Sequence, residues 1–388
     1  MHMFLDRLLG TNPALAELAF SWHQAGVIQP DTYLLDMDTI VENAQMMQAA
    51  ADKFGITLYF MLKQLGRNPL VAHELQNAGL FGAVCVDWRE AVTLSQAGVR
   101  LGNVGHLVQT PTSVLPELVS AQPDIMTVYT VEKAKQISAI AAKRGIVQPI
   151  MLRIIGDTDV QYSGQHGGFH LDDLEHVAES LEQLPGVRIA GVTSFPCFLF
   201  SEPAGEIEPL PNTETVLAAS SFLEKRGHDH LQRNMPSANC LHSIPLVARL
   251  GGTHIEPGHA LTGTTPYHAA CLKAEERVGY VYVSEVSHNY DGNSYCFAGG
   301  FYRRGHLRQA LVGDGLDSSH KVKVAAPDAQ CIDYHFSLSH PEAVGDTVLM
   351  CFRTQLFVTR SEVAVVRGLS SNNPTLEGIF NTQGIRLR

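Results

Sequence analysis

Of the nine lysines in the chain (Lys53, Lys63, Lys133, Lys135, Lys143, Lys225, Lys273, Lys321 and Lys323), Lys63 alone closes an apolar strand-like run, in YFMLKQLGRNP. A lysine held among apolar neighbours loses its proton more easily, and a neutral amine can form a Schiff base with a carbonyl compound. The same spacing also suits a lysine that only snorkels from a strand end to solvent, and on spacing alone both readings stand. A second candidate is the carboxylate of Glu256 in THIEPGHALTG, a short strand running into Pro257 and Gly258. It could work on a bound group or simply cap a loop. His106, Glu256 and His259 together could also ligate a metal, but no HxH follows the first strand, which ranks that reading third. The HDH run at His228 to His230 sits between a helix and a strand and reads as solvated.

The elements that must carry these groups follow from periodicity. Strand candidates are Leu58 to Leu62, Ala83 to Val86, Asn103 to His106, Ile125 to Val128, Ile150 to Ile154, Ile189 to Ser194, Leu231 to Pro236 and a last short run ending at Glu256. Helical patterns fill the gaps, among them Asn68–Ala78, Trp88–Ala97, Ser113–Ala121, Val131–Lys143, Leu171–Gln183, Thr213–Lys225 and Ile244–Arg249, several opening near a Ser, Thr, Asn or Asp suited to capping. Eight strands alternating with helices predict a parallel α/β sheet, and the count favours a closed (β/α)8 barrel over an open doubly wound one. Neither GxGxxG nor a P-loop follows any strand.

In such a barrel, chemistry sits where strands run into their following loops. That rule collects Lys63, Asp87, His106, Tyr129, Arg153, Ser194, Ser237 and Glu256. After about Pro266 the chain turns β-rich, in VGYVYVSEV, SYCFAGGFY, CIDYHFSLS, GDTVLMCF and SEVAVVRG, with Gly and Asp turns between. The expected organisation is an N-terminal helical arm (1–30), the barrel (31–265) and a C-terminal antiparallel β domain (266–388).

Bulk composition narrows the class. The 388 residues are 45% apolar and 17% charged, enough for a buried core. Lys+Arg number 28 and Asp+Glu 39, a net charge of −11, opposite to the bias of a nucleic-acid binder. No apolar run reaches the roughly 20 residues that span a bilayer. The N-terminus carries charge where a signal peptide needs a clean apolar stretch. Seven scattered cysteines without a CxxC read as free thiols in a reducing compartment, so a cytoplasmic location is expected.

TYLLDMDTIVEN, the strand ending in Lys63, the eight-strand pattern and the β-rich C-terminal part together resemble the alanine racemase-like, fold-type III pyridoxal phosphate enzymes. Within that group the chain is most similar to the YhfX-type branch. The resemblance implies pyridoxal 5'-phosphate as cofactor, with Lys63 as the lysine that carries it. EPG follows the decarboxylases of the fold, whose Glu faces the pyridine nitrogen, and departs from the racemases, which place an Arg there. Glu256 and Gly258 inherit that place. GVTSFP puts Ser194 where racemases have a ring-stacking His. SGQHGGF puts His166 where they have an Arg that contacts the ring oxygen. Arg67 stands where racemases have a Tyr reaching the phosphate. SANC, with Asn239 and Cys240, resembles their phosphate-binding ANS segment. GHLVQTP resembles the GxLQ strand end of the PLP-homeostasis proteins and sets His106 and Gln109 near the cofactor, and Arg153 ends a barrel strand beside them.

In the C-terminal domain, Cys351 falls near the decarboxylase catalytic Cys and Glu285 near the racemase catalytic Tyr. A buried strand cysteine and a surface strand glutamate are the plainer readings of both. LMCFRTQLF lacks the His of the HxC metal pair found in the aldolases and dehydratases of the fold, so no metal is expected. The activity implied is that of an isomerase or lyase at the α-carbon of an amino acid or related amine, in a homodimer whose C-terminal domains complete the partner's site. The alternative is a non-catalytic PLP carrier, against which stands the whole C-terminal domain that such carriers lack.

Overall fold

The computed structural model describes residues 4–328 and 330–388 and divides into two compact units. One comprises Gln45–Leu62 and Ala72–Gly258. The other comprises the described part of Met1–Ala44, with Lys63–Val71 and His259–Arg388.

The first unit is a closed parallel barrel. Its eight strands are β1 (Thr57–Met61), β2 (Gly82–Cys85), β3 (Leu101–Val104), β4 (Ile125–Val128), β5 (Gln148–Ile155), β6 (Val187–Thr193), β7 (Gln232–Asn234) and β8 (His254–Ile255). Each pairs with the next in sequence, and β8 returns to β1 with His254 opposite Thr57 and Ile255 opposite Leu58. The expected (β/α)8 architecture is thus present. Most of these strands are buried along nearly their whole length, as sheets covered on both faces require.

Local chemistry explains several helix starts. Asp87, collected above as a strand-end residue, caps the helix Trp88–Gln96 by accepting from the Glu90 amide at 3.0 Å. Thr130 does the same for Val131–Lys143 through the Lys133 amide at 3.2 Å. Both side chains satisfy amides that the first helical turn leaves unpaired.

In the second unit, the arm expected as one amphipathic stretch is two helices, Phe4–Thr11 and Pro13–Gln24. Asn12 separates them as N-cap, and Pro13 occupies the first turn, where its missing N–H costs nothing. Asn12 also donates to the Asp36 carboxylate at 2.8 Å and to the Val278 carbonyl at 3.0 Å. The buried Arg7 donates to the carbonyls of Cys271, Ala274 and Glu276.

Thr32–Asp36 lies in a stretch that reads as barrel from sequence. It pairs antiparallel with Tyr280–Tyr290 and parallel with Glu362–Arg367, in the middle of the C-terminal sheet. That sheet runs in the order His320–Lys323, Gln309–Gly313, Thr347–Met350, Tyr280–Tyr290, Thr32–Asp36, Glu362–Arg367, Thr375–Asn381. Apart from the one parallel pairing it is antiparallel. Asn293–Phe297 continues from the far half of Tyr280–Tyr290 and pairs with His335–Leu338. No helix among the described residues is long and apolar enough to cross a membrane.

Candidate active site

The barrel unit gathers polar side chains around one carboxylate. Glu256, directly after β8, is buried. One of its oxygens accepts from Asn234 Nδ2 at 2.7 Å and from Asn103 Nδ2 at 3.3 Å. Its other oxygen stands 3.4 Å from His106 Nε2. The Glu256 backbone N–H donates to Asn239 Oδ1 at 3.1 Å, which pins the loop that carries it. Asn103 is oriented in turn by the Thr127 hydroxyl, which donates to its Oδ1 at 2.7 Å. Asn103 and Asn234 lie on short barrel strands and are themselves buried, so each amide needs a partner.

The network continues past His106. The Tyr129 hydroxyl donates to the His106 carbonyl and accepts from Arg153 Nη1 at 2.6 Å. Arg153 also donates to the Gln165 carbonyl at 2.7 Å, and its guanidinium lies 4.9 Å from the Tyr129 ring centroid. Burial raises the Tyr129 pKa, Arg153 opposes that rise, and Glu256 adds to it. The phenol therefore stays protonated and can donate. The Phe195 ring meets the His106 imidazole edge-on, with centroids 5.6 Å apart.

Of the residues singled out from sequence, His106, Arg153, Asn239 and Glu256 thus belong to one connected cluster. Ser194 is buried next to it but is engaged elsewhere, donating to Asp159 at 3.2 Å and accepting from Asn212 at 2.9 Å. His166 is exposed on its loop, where Arg153 holds the neighbouring Gln165 carbonyl. Gln109 donates to the Gly105 and Thr127 carbonyls. Cys240 is buried at the start of the turn leading to Ile244–Arg249, its amide donating to Ser243 Oγ. Just before it, Ser237 and Ala238 take positive φ angles of 85° and 49°. Two consecutive non-glycine residues with positive φ are uncommon and cost on the order of 1–3 kcal/mol each. Gly258 is buried, and the Pro257 carbonyl before it accepts from the Met61 amide at 3.0 Å.

The remaining candidates lie in the second unit. Lys63, two residues beyond β1, is half-buried, and its carbonyl accepts from the Phe357 amide. Arg67 has φ 53°, is buried, donates to Gln383 Oε1 at 2.7 Å and lies over the Phe357 ring. His259 donates or accepts at Gln64 through Nδ1 and faces the Thr354 carbonyl through Nε2 at 2.8 Å. Burial, reinforced by the Arg353 and Lys63 cations, holds it neutral, so Nε2 is the donor to Thr354. That bond takes the ring nitrogen which the metal reading needs.

Cys351, directly after the strand Thr347–Met350, is a buried thiol pushed up to about 12 by burial. Glu285 stands 3.3 Å from His23 Nε2, with a third of its side chain exposed. Tyr129, collected above as a strand-end residue, also belongs to the cluster, whereas sequence reasoning missed Asn103 and Asn234. The available signal was an asparagine within the expected strand runs Asn103 to His106 and Leu231 to Pro236.

Residues 35–266 match the alanine racemase N-terminal domain family, and residues 281–376 match the YhfX-like C-terminal domain family. The chain is 41% identical to the uncharacterised protein YhfX of Escherichia coli K12, over 98% of this chain and 99% of that one. Among solved structures it is similar to the D-threonine aldolase of Filomicrobium marinum, with TM-score 0.67 and 16% identity over 93% of this chain and 96% of that chain. It is also similar to the diaminopimelate decarboxylase of M. jannaschii, with TM-score 0.66 and 12% identity over 95% and 92%. At such identities the likeness is one of fold. With the barrel, both domain matches and the 41% identical relative in agreement, the chain belongs to the alanine racemase-like fold family, in its YhfX branch.

Proposed function

We propose that this protein is a pyridoxal phosphate-dependent enzyme acting at the α-carbon of an amino acid or related amine, as an isomerase or lyase. The observation that carries the reading is the pair of amide donors converging on one oxygen of Glu256, Asn234 and Asn103, with the His106 imidazole 3.4 Å from the other oxygen. Such a set suits an ionised carboxylate held in one orientation, since hydrogen bonds donated to a carboxylate favour its charged form. The residues fit the cofactor. The left-handed Ser237–Ala238 turn offers backbone amides to a phosphate, Glu256 offers a carboxylate to a ring nitrogen, and Lys63 is a half-buried amine just beyond a barrel strand.

When bound, pyridoxal phosphate supplies an electron sink for negative charge developing at the α-carbon. The chain's own residues then have separate tasks. Lys63 carries the cofactor through its amine. Glu256 keeps a proton on the ring nitrogen, and Asn103 and Asn234 keep Glu256 in place. Asn239 fixes the backbone on which Glu256 rides. Arg153 and Tyr129 hold the His106 strand end. An Arg in place of Glu256, as in racemases, could not hold that proton. The resemblance further suggests a homodimer in which each C-terminal domain completes its partner's site.

The test is reduction of the cofactor-loaded protein with borohydride, followed by peptide mapping. The label is expected on the Lys63 peptide, and Lys63→Ala is expected to give a colourless protein that still folds. A label on any other lysine, or none, contradicts the assignment.

A further inference from the structure

Among the described residues, one group of three metal-ligating side chains converges: His320, His340 and Glu342, whose ligand atoms all lie within 4.8 Å of one another. His320 Nε2 is 3.1 Å and His340 Nδ1 2.8 Å from the same oxygen of Glu342. The two imidazoles are near-parallel, 11° apart, with centroids 6.1 Å from each other. Ligands about 2.0–2.1 Å from a tetrahedral zinc ion sit about 3.3 Å from each other, so little movement separates this arrangement from a coordination shell.

The three residues come from sequence positions up to twenty-two apart and are brought together by the sheet. His320 starts the edge strand His320–Lys323. Val324, just after that strand, bridges to Leu338, and the Ser339 amide donates to the Lys323 carbonyl at 3.0 Å. Beyond that point the His340 carbonyl accepts from the Ser294 hydroxyl. Asn289 brackets Glu342, accepting from its N–H at 3.1 Å and donating to its carbonyl at 2.8 Å. The carboxylate is therefore set on a fixed backbone, and its side chain is only 6% exposed while those of His320 and His340 are 53% and 50% exposed. Two open imidazoles on one anchored carboxylate leave the solvent side free for a further ligand.

We propose that His320, His340 and Glu342 form a binding site for a divalent first-row transition ion such as Zn2+, with an open coordination position toward solvent. The site lies two strands away from Thr347–Met350, in whose stretch the aldolase- and dehydratase-type metal pair would fall.

The experiment is titration of the full-length, cofactor-saturated protein with Co2+, followed by visible absorption and calorimetry, then displacement by Zn2+. The expected result is one ion per chain with the intense visible bands of a four-coordinate site. His320→Ala/His340→Ala should weaken binding at least about 100-fold, and Glu342→Gln at least about tenfold. Both histidines are half exposed, so the double variant should keep the wild-type circular dichroism. His228→Ala, at a separate exposed pair with Glu182, serves as a control and should bind as wild type does. Absence of a stoichiometric site, or binding unchanged in the double variant, overturns the proposal.

Discussion

In the barrel, Arg153, Tyr129, His106, Asn103 and Asn234 are linked in one connected network to a single carboxylate, Glu256. In the second unit the polar groups form smaller, separate sets, with Tyr282 and Ser361 donating to Asp31 and Asn12 and Thr39 donating to Asp36. Tyr282 donates to Asp31, and the Tyr280 hydroxyl accepts from the Phe352 amide. Their rings pack with Tyr33 and Phe352, the Tyr33 and Tyr282 centroids 4.8 Å apart. Burial pushes the Tyr280 and Tyr282 hydroxyls far above their ordinary range, and it does the same to the Cys351 thiol. The two units differ in the extent of these sets, two side-chain donors on each of Asp31 and Asp36 against a chain of five residues leading to Glu256. An extended buried polar network around one carboxylate is the stronger candidate for holding a ligand.

The sharpest way to break this contrast is to remove the donors. Asn103→Ala with Asn234→Ala strips both amides from Glu256, each hydrogen bond to a charged group contributing about 1.5–3 kcal/mol. Turnover on a responsive amino acid should fall by about two to four orders of magnitude while Lys63 still takes up the cofactor. A loss below about tenfold would mean that Glu256 does not depend on them. Tyr280→Phe, the corresponding deletion in the sheet, should alter stability and leave turnover within a factor of about two.

A second effect is thermodynamic. His254, on β8, is lowered to about 4, chiefly by burial, from an ordinary value of 6.5. The unfolded chain therefore binds this proton near pH 6.5 and the folded chain only near pH 4, so the contribution is fully present above 6.5 and is lost as pH falls through that window. Up to about 3 kcal/mol of stability should disappear between pH 6.5 and 4. Urea midpoints measured across that range should slope less steeply in His254→Gln. An identical slope would assign the acid sensitivity elsewhere.

The smallest effect concerns Cys351. With its thiol pushed up to about 12, it should resist a disulfide reagent at pH 8 in the folded protein and react only on unfolding. Rapid labelling in the native state would move it from scaffold to reactive group.

How much of this was legible depended on whether the signal was local. The barrel strands were visible because buried parallel strands read as apolar runs, and their ends fell within a few residues of those expected. EPG identified Glu256 by resemblance. Its partners were hidden because Asn103 and Asn234 are 131 positions apart and meet only when β3 and β7 occupy one barrel. The place of Thr32–Asp36 in the C-terminal sheet was not legible, because TYLLD is an apolar run whose periodicity does not name its partners. Its partners, Tyr280–Leu35 pairing included, lie hundreds of residues downstream. The His320, His340 and Glu342 group was invisible for the same reason, since strand register alone aligns those positions.

The central claim is that Glu256 acts on the ring nitrogen of a bound cofactor, and exchange of the α-carbon hydrogen for deuterium tests it most directly. The measurement compares wild type, Glu256→Gln and Glu256→Arg, each loaded with cofactor, across a panel of amino acids. Glu256→Gln keeps the size of the side chain and removes its charge. The account predicts exchange slowed by orders of magnitude in Glu256→Gln, with cofactor still bound through Lys63, and at most proton exchange without further chemistry in Glu256→Arg. Unchanged exchange in Glu256→Gln would contradict it and leave Glu256 as a loop carboxylate held by its neighbours.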